Sequence, residues 1–165
     1  MSFKIKFLLV FFTSYFLFFC TSAWADKSNP KLVLKDQISK PGQLLQIPLI
    51  VDNVDNLAGI KLVLDYDQEK LNLKGVTKAN KAESLMHMIN DRTPGTLILV
   101  MAGAKGISLH EEPLAFINIQ IKDEAEKGVT TLNIKQVEVM TDKLKPVQVK
   151  TQSSRITIEN EHQKK

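Results

Sequence analysis

From Lys31 onward the dominant hydrophobic period is two. Leu45, Ile47, Leu49 and Val51 alternate with Gln46, Pro48, Ile50 and Asp52, and Ile60, Leu62, Leu64 and Tyr66 alternate with Lys61, Val63, Asp65 and Asp67. A further run holds Leu114, Phe116, Ile117, Ile119 and Ile121 inward, with Asn118 and Gln120 outward. Leu132, Ile134, Val137 and Val139 follow, then Val147 and Val149, then Ile156 and Ile158. Side chains of a strand point to opposite faces in turn, so each run reads as a half-buried strand. The turn signals between them are Pro41-Gly42, Asp55-Asn56, Pro94-Gly95, Gly106 and Lys127-Gly128. Many short strands at this spacing predict an all-β sandwich. Pro48 inside its run predicts an edge or a bulge. One segment departs from the pattern: Lys78–Met88 (KANKAESLMHM) is rich in helix formers and predicts one short helix or a loop.

The stretch GIKLVLDYDQEKLNL (59–73) is a break with its own chemistry. An alternating strand ends at Tyr66-Asp67 and alternation resumes at Leu71. Asp67 is expected to cap a single helical turn by accepting from the amide of Glu69 or Lys70. Asp65, Asp67 and Glu69 also have the spacing of a Ca²⁺ loop, but the glycine of its sharp turn and its bidentate acidic residue are missing. The capped turn is therefore preferred, and no metal site is expected.

The N-terminus stands apart. Lys4 and Lys6 precede an apolar run from Phe7 to Cys20, and Ala23-Trp24-Ala25 gives an A-x-A cleavage pattern. This reads as a secretory signal peptide over residues 1–25. The apolar run falls short of the ~18–20 residues that a membrane span needs. Lipidation at Cys20 fits less well, because bulky Phe18 and Phe19 precede it. After cleavage the expected order is a polar leader (26–31), one domain (32–158) and a flexible polar tail (159–165), with the mature protein secreted or periplasmic.

Removing the signal changes the composition. The single Cys, the single Trp and seven of eight Phe leave with it. Phe116 and Tyr66 remain as the only aromatics, both on expected inward faces, and no disulfide is possible. The net charge of +4 falls by the two signal lysines, and the remaining lysines are scattered, which argues against nucleic acid. A carbohydrate platform of the ordinary kind, which stacks sugars on exposed aromatics, is disfavoured for the same lack of rings.

No catalytic constellation emerges. His87, His110 and His162 have no partner at metal-ligand spacing. Glu111-Glu112 beside His110 reads as a charged hairpin connection, since nothing indicates an enclosed pocket to shift their pKa values. No serine sits in a nucleophile motif such as G-x-S-x-G. Gly103-Ala104-Lys105-Gly106 lacks phosphate-loop spacing and reads as a tight turn. The chain is not read as an enzyme, and no cofactor is expected.

The strongest surface signal is Thr96–Ala102 (TLILVMA), apolar on both faces. With Leu97, Leu99 and Met101 inward, Ile98, Val100 and Ala102 must point out, and Val63 does the same on the Gly59–Tyr66 strand. An antiparallel sandwich normally shows polar residues there. Either the Lys78–Asp91 segment covers this face or it is a partner surface.

The ordered set of motifs resembles the cohesin domain family. The pattern L-x-Y-D-x-x-x-L, then Gly75-Val76, is similar to the family's Y-D-P-x-x-L, with Gln68 in place of the proline. IPLIVDNVDNLAGIKLVLDYD (47–67), LILVMAGAKGISL (97–109), PLAFINIQIKDEAEKGVTTLNI (113–134) and SRITI (154–158) resemble successive family strands, so the likeness spans about residues 32–158. It implies a nine-stranded jelly-roll sandwich and a non-catalytic role, binding a dockerin-type module that carries its own Ca²⁺. It also implies that the partner packs on the strands of Gly59, Lys61, Val63, Ile98 and Val100. Gly59 and Lys61 stand where cellulosomal cohesins tend to offer Asn and Asp, which reverses the charge at position 61. Two other function classes share the architecture: a carbohydrate-binding module associated with polysaccharide breakdown, and an accessory part of an envelope secretion or pilus apparatus.

Overall fold

The computed structural model describes residues 29–159. The expected signal peptide, the first half of the expected polar leader (26–28) and nearly all of the expected tail lie outside the described residues. Eleven strand segments follow one another: β1 (Lys31–Leu34), β2 (Gln37–Ser39), β3 (Leu44–Asp52), β4 (Val54–Tyr66), β5 (Leu71–Lys78), β6 (Met86–Asn90), β7 (Thr96–Leu109), β8 (Glu112–Ile121), β9 (Gly128–Thr141), β10 (Lys150–Gln152) and β11 (Ser154–Ile158). They form a five-stranded sheet, β10-β1-β3-β8-β5, facing a six-stranded sheet, β2-β11-β9-β4-β7-β6.

The nine-stranded expectation and the eleven segments agree once two sheet switches are recognised. β1 lies in the five-stranded sheet and β2, two residues later, in the six-stranded one; β10 and β11 switch beside them in the same way. The partners run parallel, β1 with β10 and β2 with β11. The crossing is stapled by side chains. The buried Ser154 hydroxyl donates to the Lys35 carbonyl at 2.7 Å, and the Arg155 amide donates to Asp36 Oδ1 at 2.8 Å. Backbone groups freed where a strand leaves its ladder need such partners.

Between the sheets lies an aliphatic core. Ile60, Leu62 and Leu64 of β4 meet Leu97, Leu99 and Met101 of β7, each at most 2% exposed. Ile47 and Leu49 of β3 and Ile117, Ile119 and Ile121 of β8 face them from the other sheet. Tyr66 packs against this core from its edge. Burial, and then the nearby Asp91 carboxylate, hold its phenol pKa above the ordinary range, so it remains a neutral packing group.

The break after Tyr66 carries the chain from one sheet to the other. Asp67 Oδ1 accepts from the Glu69 amide at 2.9 Å, and the Asp67 carbonyl accepts from the Leu71 amide at 2.9 Å. One helical turn results, and it delivers Leu71, 1% exposed, to the core at the start of β5. This is the expected capped turn.

Three local expectations need correction. Lys78–Met88 is neither a regular helix nor a simple loop. Asn80–Ala82 make a single 3-10 turn, Ala82 and Leu85 enter the core, and Met86–Asn90 pair with β7 as an edge strand. Helix propensity is a weak prior, and here two buried side chains and a free sheet edge override it. Lys78 clamps the turn, donating to the Glu83 and Leu85 carbonyls at 2.8 and 3.0 Å. Its side chain is only 21% exposed. Lys78→Met is expected to cost about 1.5–3 kcal/mol, since hydrogen bonds to a charged group are worth roughly that; urea unfolding measures it, and an unchanged midpoint would refute the clamp.

Second, Gly103–Gly106 is no hairpin turn. It lies within β7 as a large bulge: against β4, Leu57 pairs with Ile107 but Gly59 already pairs with Ala102. Third, Phe116 does not face the core. The register of β8 against β3 shifts between Leu49 and Ile50, whose partners are Ala115 and Pro113, so Leu114 is the extra residue. The bulge therefore falls before Ala115, and from there Ala115, Ile117, Ile119 and Ile121 point in while Phe116, Asn118 and Gln120 point out. Pro48, paired with Phe116, sits one residue past the last β1–β3 pair (Leu34 with Leu49) and next to this bulge. That is the irregular position its missing N–H calls for.

Candidate protein-docking face

The outward face of the six-stranded sheet is built in rows, because directly paired residues of neighbouring strands share a face. One row reads Glu138, Lys61, Val100, Met88 across β9, β4, β7 and β6. On one side of it lies the row Gln136, Val63, Ile98, Asn90; on the other lies Met140, Gly59, Ala102, Met86. The five residues expected from the sequence, Gly59, Lys61, Val63, Ile98 and Val100, thus sit together on adjacent strands. None of their side chains belongs to the core cluster.

An apolar stripe runs along β7 and β6. Val63, Ile98 and Val100 are half-buried against one another, while Met86 and Met88 are 77% and 72% exposed. The Lys78–Asp91 segment does not cover this face; its strand extends it at the edge. The β4–β9 side is polar. Lys61 Nζ lies 3.6 Å from Glu138 Oε1, and Gln136 Nε2 donates to the same oxygen at 2.7 Å. Below them Asp65 pairs with Lys135 at 3.0 Å and accepts from the Thr96 hydroxyl at 3.2 Å. An apolar centre with a polar, solvent-accessible rim is the anatomy of a protein interface.

The charge at position 61 is read differently with this neighbour in place. Lys61 does not stand alone; Glu138 beside it supplies a carboxylate one strand away. Both side chains are about half exposed, so the pair itself adds little to stability. Gly59 is not demanded by the backbone: a Cβ there would meet only the Met140 Cβ at an ordinary 3.6 Å. With Ala102 beside it, the glycine leaves a shallow dip between Met140 and Met86. Met86, Met88, Gln136, Glu138 and Met140 were not singled out by the sequence. The alternation of β9 was visible, but which strand lies beside β4 is not a property of any local pattern.

The other candidates scatter. His110 lies 3.5 Å from Asp55 at an exposed strand connection, His87 is exposed on β6, and Glu112 pairs with Lys81 at 3.3 Å. Among the described residues no three His, Cys, Asp or Glu side chains are placed to hold a metal ion.

Comparison with known proteins adds to this geometry. The model of the cohesin domain matches residues 30–158. The chain belongs to the cohesin family. This cohesin is a protein-interaction module and not an enzyme. Its fold is shared with a non-cellulosomal cohesin from the archaeon Archaeoglobus fulgidus, at a TM-score of 0.73 and 16% identity, covering 82% of this chain and 94% of that one. The sixth cohesin of scaffoldin B from Acetivibrio cellulolyticus, solved in complex with a dockerin, gives 0.73 and 17%, covering 80% and 100%. The seventh type I cohesin of a Pseudobacteroides cellulosolvens scaffoldin gives 0.69 and 16%, covering 83% and 96%. No curated protein matches the chain. Among the described residues no helix is long and apolar enough to cross a membrane.

Proposed function

We propose that this cohesin is an exported docking module that holds a dockerin-type partner on the outward face of β9, β4, β7 and β6. The supporting observation is the unbroken stripe Val63, Ile98, Val100, Met88, which leaves apolar surface outward on a sheet whose other face already fills the core. Val100 and Ile98 serve as the apolar anchors, with Val63 beside them. Lys61, with Glu138 and Gln136, forms a polar rim that sets register and partner choice. Gly59 keeps the surface low enough for a partner side chain to approach. The module itself needs no metal; the Ca²⁺ belongs to the dockerin-type partner. The N-terminal segment, residues 1–25, directs export, so the domain works in the periplasm or outside the cell.

Calorimetric titration with a purified dockerin module tests this reading. Binding is expected in Ca²⁺ and is expected to vanish in EDTA, while the thermal midpoint of the cohesin alone stays the same in both. Calcium-independent binding would remove the dockerin class from the proposal, and a calcium-shifted midpoint of the free domain would place the ion in this chain instead.

A further inference from the structure

The opposite side of the molecule is chemically different. On the outward face of the five-stranded sheet, β3, β8 and β5 present three successive rows. Pro48, Phe116 and Thr77 form the first. Gln46, Asn118 and Gly75 form the second, and Leu44, Gln120 and Asn72 the third. None of these nine positions is charged, in a chain of which 24% of residues are charged. The nearest charge along β5, Lys74, is the unpaired residue of its bulge. By contrast, the docking face carries Lys61, Glu138, Asp65 and Lys135.

The polar groups in this grid are oriented. Gln46 Nε2 donates to Asn118 Oδ1 at 3.2 Å, and Asn118 Nδ2 donates to the Thr77 hydroxyl at 2.9 Å. Gln120 Nε2 reaches the Gly42 carbonyl at 3.4 Å. This relay aligns the amides while leaving Gln46 Oε1, the second Asn118 N–H and the Thr77 hydroxyl hydrogen to bond elsewhere. Beside Asn118 the surface is open: a Cβ at Gly75 would meet nothing within 4 Å. Next to the amides lies Phe116, half-buried and the only aromatic of the described residues on an outward sheet face, with Pro48 paired to it. Phe116 and Gln120 are four residue steps apart along the strand, about 13 Å at the usual rise, room for a short oligosaccharide.

We propose that this face binds a neutral polysaccharide chain, with Phe116 stacking on the apolar side of one sugar ring and the Gln46–Asn118–Thr77 relay bonding the hydroxyls of its neighbours. Neutral polyhydroxylated ligands suit oriented amides beside a ring. An anionic chain would find no cation within the grid, and a protein partner would find its apolar side chains, Leu44 and Phe116, at opposite ends of the grid with the amides between them. The site is independent of the docking face, so the two readings fail separately.

The test is native affinity electrophoresis of the purified protein in gels containing hydroxyethylcellulose, galactomannan or neutral xylan, with polygalacturonate as the anionic comparison. Retardation in at least one neutral gel is expected. Phe116→Ala and Gln46→Ala are each expected to weaken it at least tenfold, and Val100→Asp is expected to leave it unchanged. Gln46 is exposed, so its variant reports on binding even if Phe116→Ala folds poorly. No retardation in any neutral gel would overturn the proposal. So would retardation in polygalacturonate alone, or retardation that Gln46→Ala and a folded Phe116→Ala both leave intact.

Discussion

Val100→Asp is expected to reduce partner capture by at least a hundredfold while leaving the domain folded. Val100 is the central residue of the proposed docking stripe, between Lys61 and Met88 across its two neighbouring strands. A partner seated there would bury the new carboxylate, and burying a poorly paired charge costs about 3 kcal/mol or more. In the free domain the same carboxylate is half-exposed beside the Lys61 ammonium, so the fold is expected to lose only about 1 kcal/mol, the span of strand preferences. The decisive measurement is a pair: titration of the variant with the dockerin module, and its thermal midpoint. A variant with a native midpoint that still binds normally would move the docking site off this face. Leu99, one residue away, is fully buried; the same change there would unfold the domain. Such adjacent opposites are what a strand with one face in the core and one outside requires.

Gly106→Ala is the second large effect, and it acts on stability. A Cβ at position 106 would overlap the backbone of Asn56, including its carbonyl carbon and oxygen. That backbone cannot easily give way. The Asn56 carbonyl accepts from the Asp142 amide at 3.0 Å, and its amide donates to the Ser108 hydroxyl at 3.3 Å. Asn56 itself holds a positive φ of 55°. Displacing it strains β4, β7 and the end of β9 together, a cost of roughly 2–4 kcal/mol. Gly103→Ala in the same bulge should cost less, because its Cβ would meet the Leu85 Cδ2 at 2.6 Å, a side-chain end that can rotate. Urea denaturation of the two variants checks the ranking; a Gly106→Ala midpoint equal to that of the unsubstituted domain would mean that the bulge is soft.

The alternation of Ile60, Leu62 and Leu64, and of Leu97, Leu99 and Met101, revealed two core strands without help, because burial on one face imposes a period of two that no other element produces. The same period showed Val63, Ile98 and Val100 as outward apolar residues, and hence most of the outward apolar stripe proposed here for docking. The capped turn at Asp67 was legible because its cause is local, one carboxylate bonding an amide two residues away. Phe116 was misplaced because a period-two pattern does not say where its phase changes. Its phase is set by a bulge against β3, sixty-odd residues earlier in the chain, and that shift turned the one outward aromatic into an apparent core residue. Met86 and Met88 were missed because an edge strand with both faces largely exposed leaves no burial pattern to read.

By itself the sequence determined the class of the fold, the residues of its aliphatic core, the lack of disulfide chemistry in the described domain and the outward apolar character of β7. These follow from side-chain chemistry and local spacing. Only the tertiary structure decided which strands are neighbours, and with that the pairing of Lys61 with Glu138, the extension of the stripe to Met88, the crossing of the terminal strands at Lys35 and Ser154, and the outward turn of Phe116. Each of these depends on hydrogen-bond register between segments far apart in the chain, and register is a property of the closed sheets rather than of any strand alone.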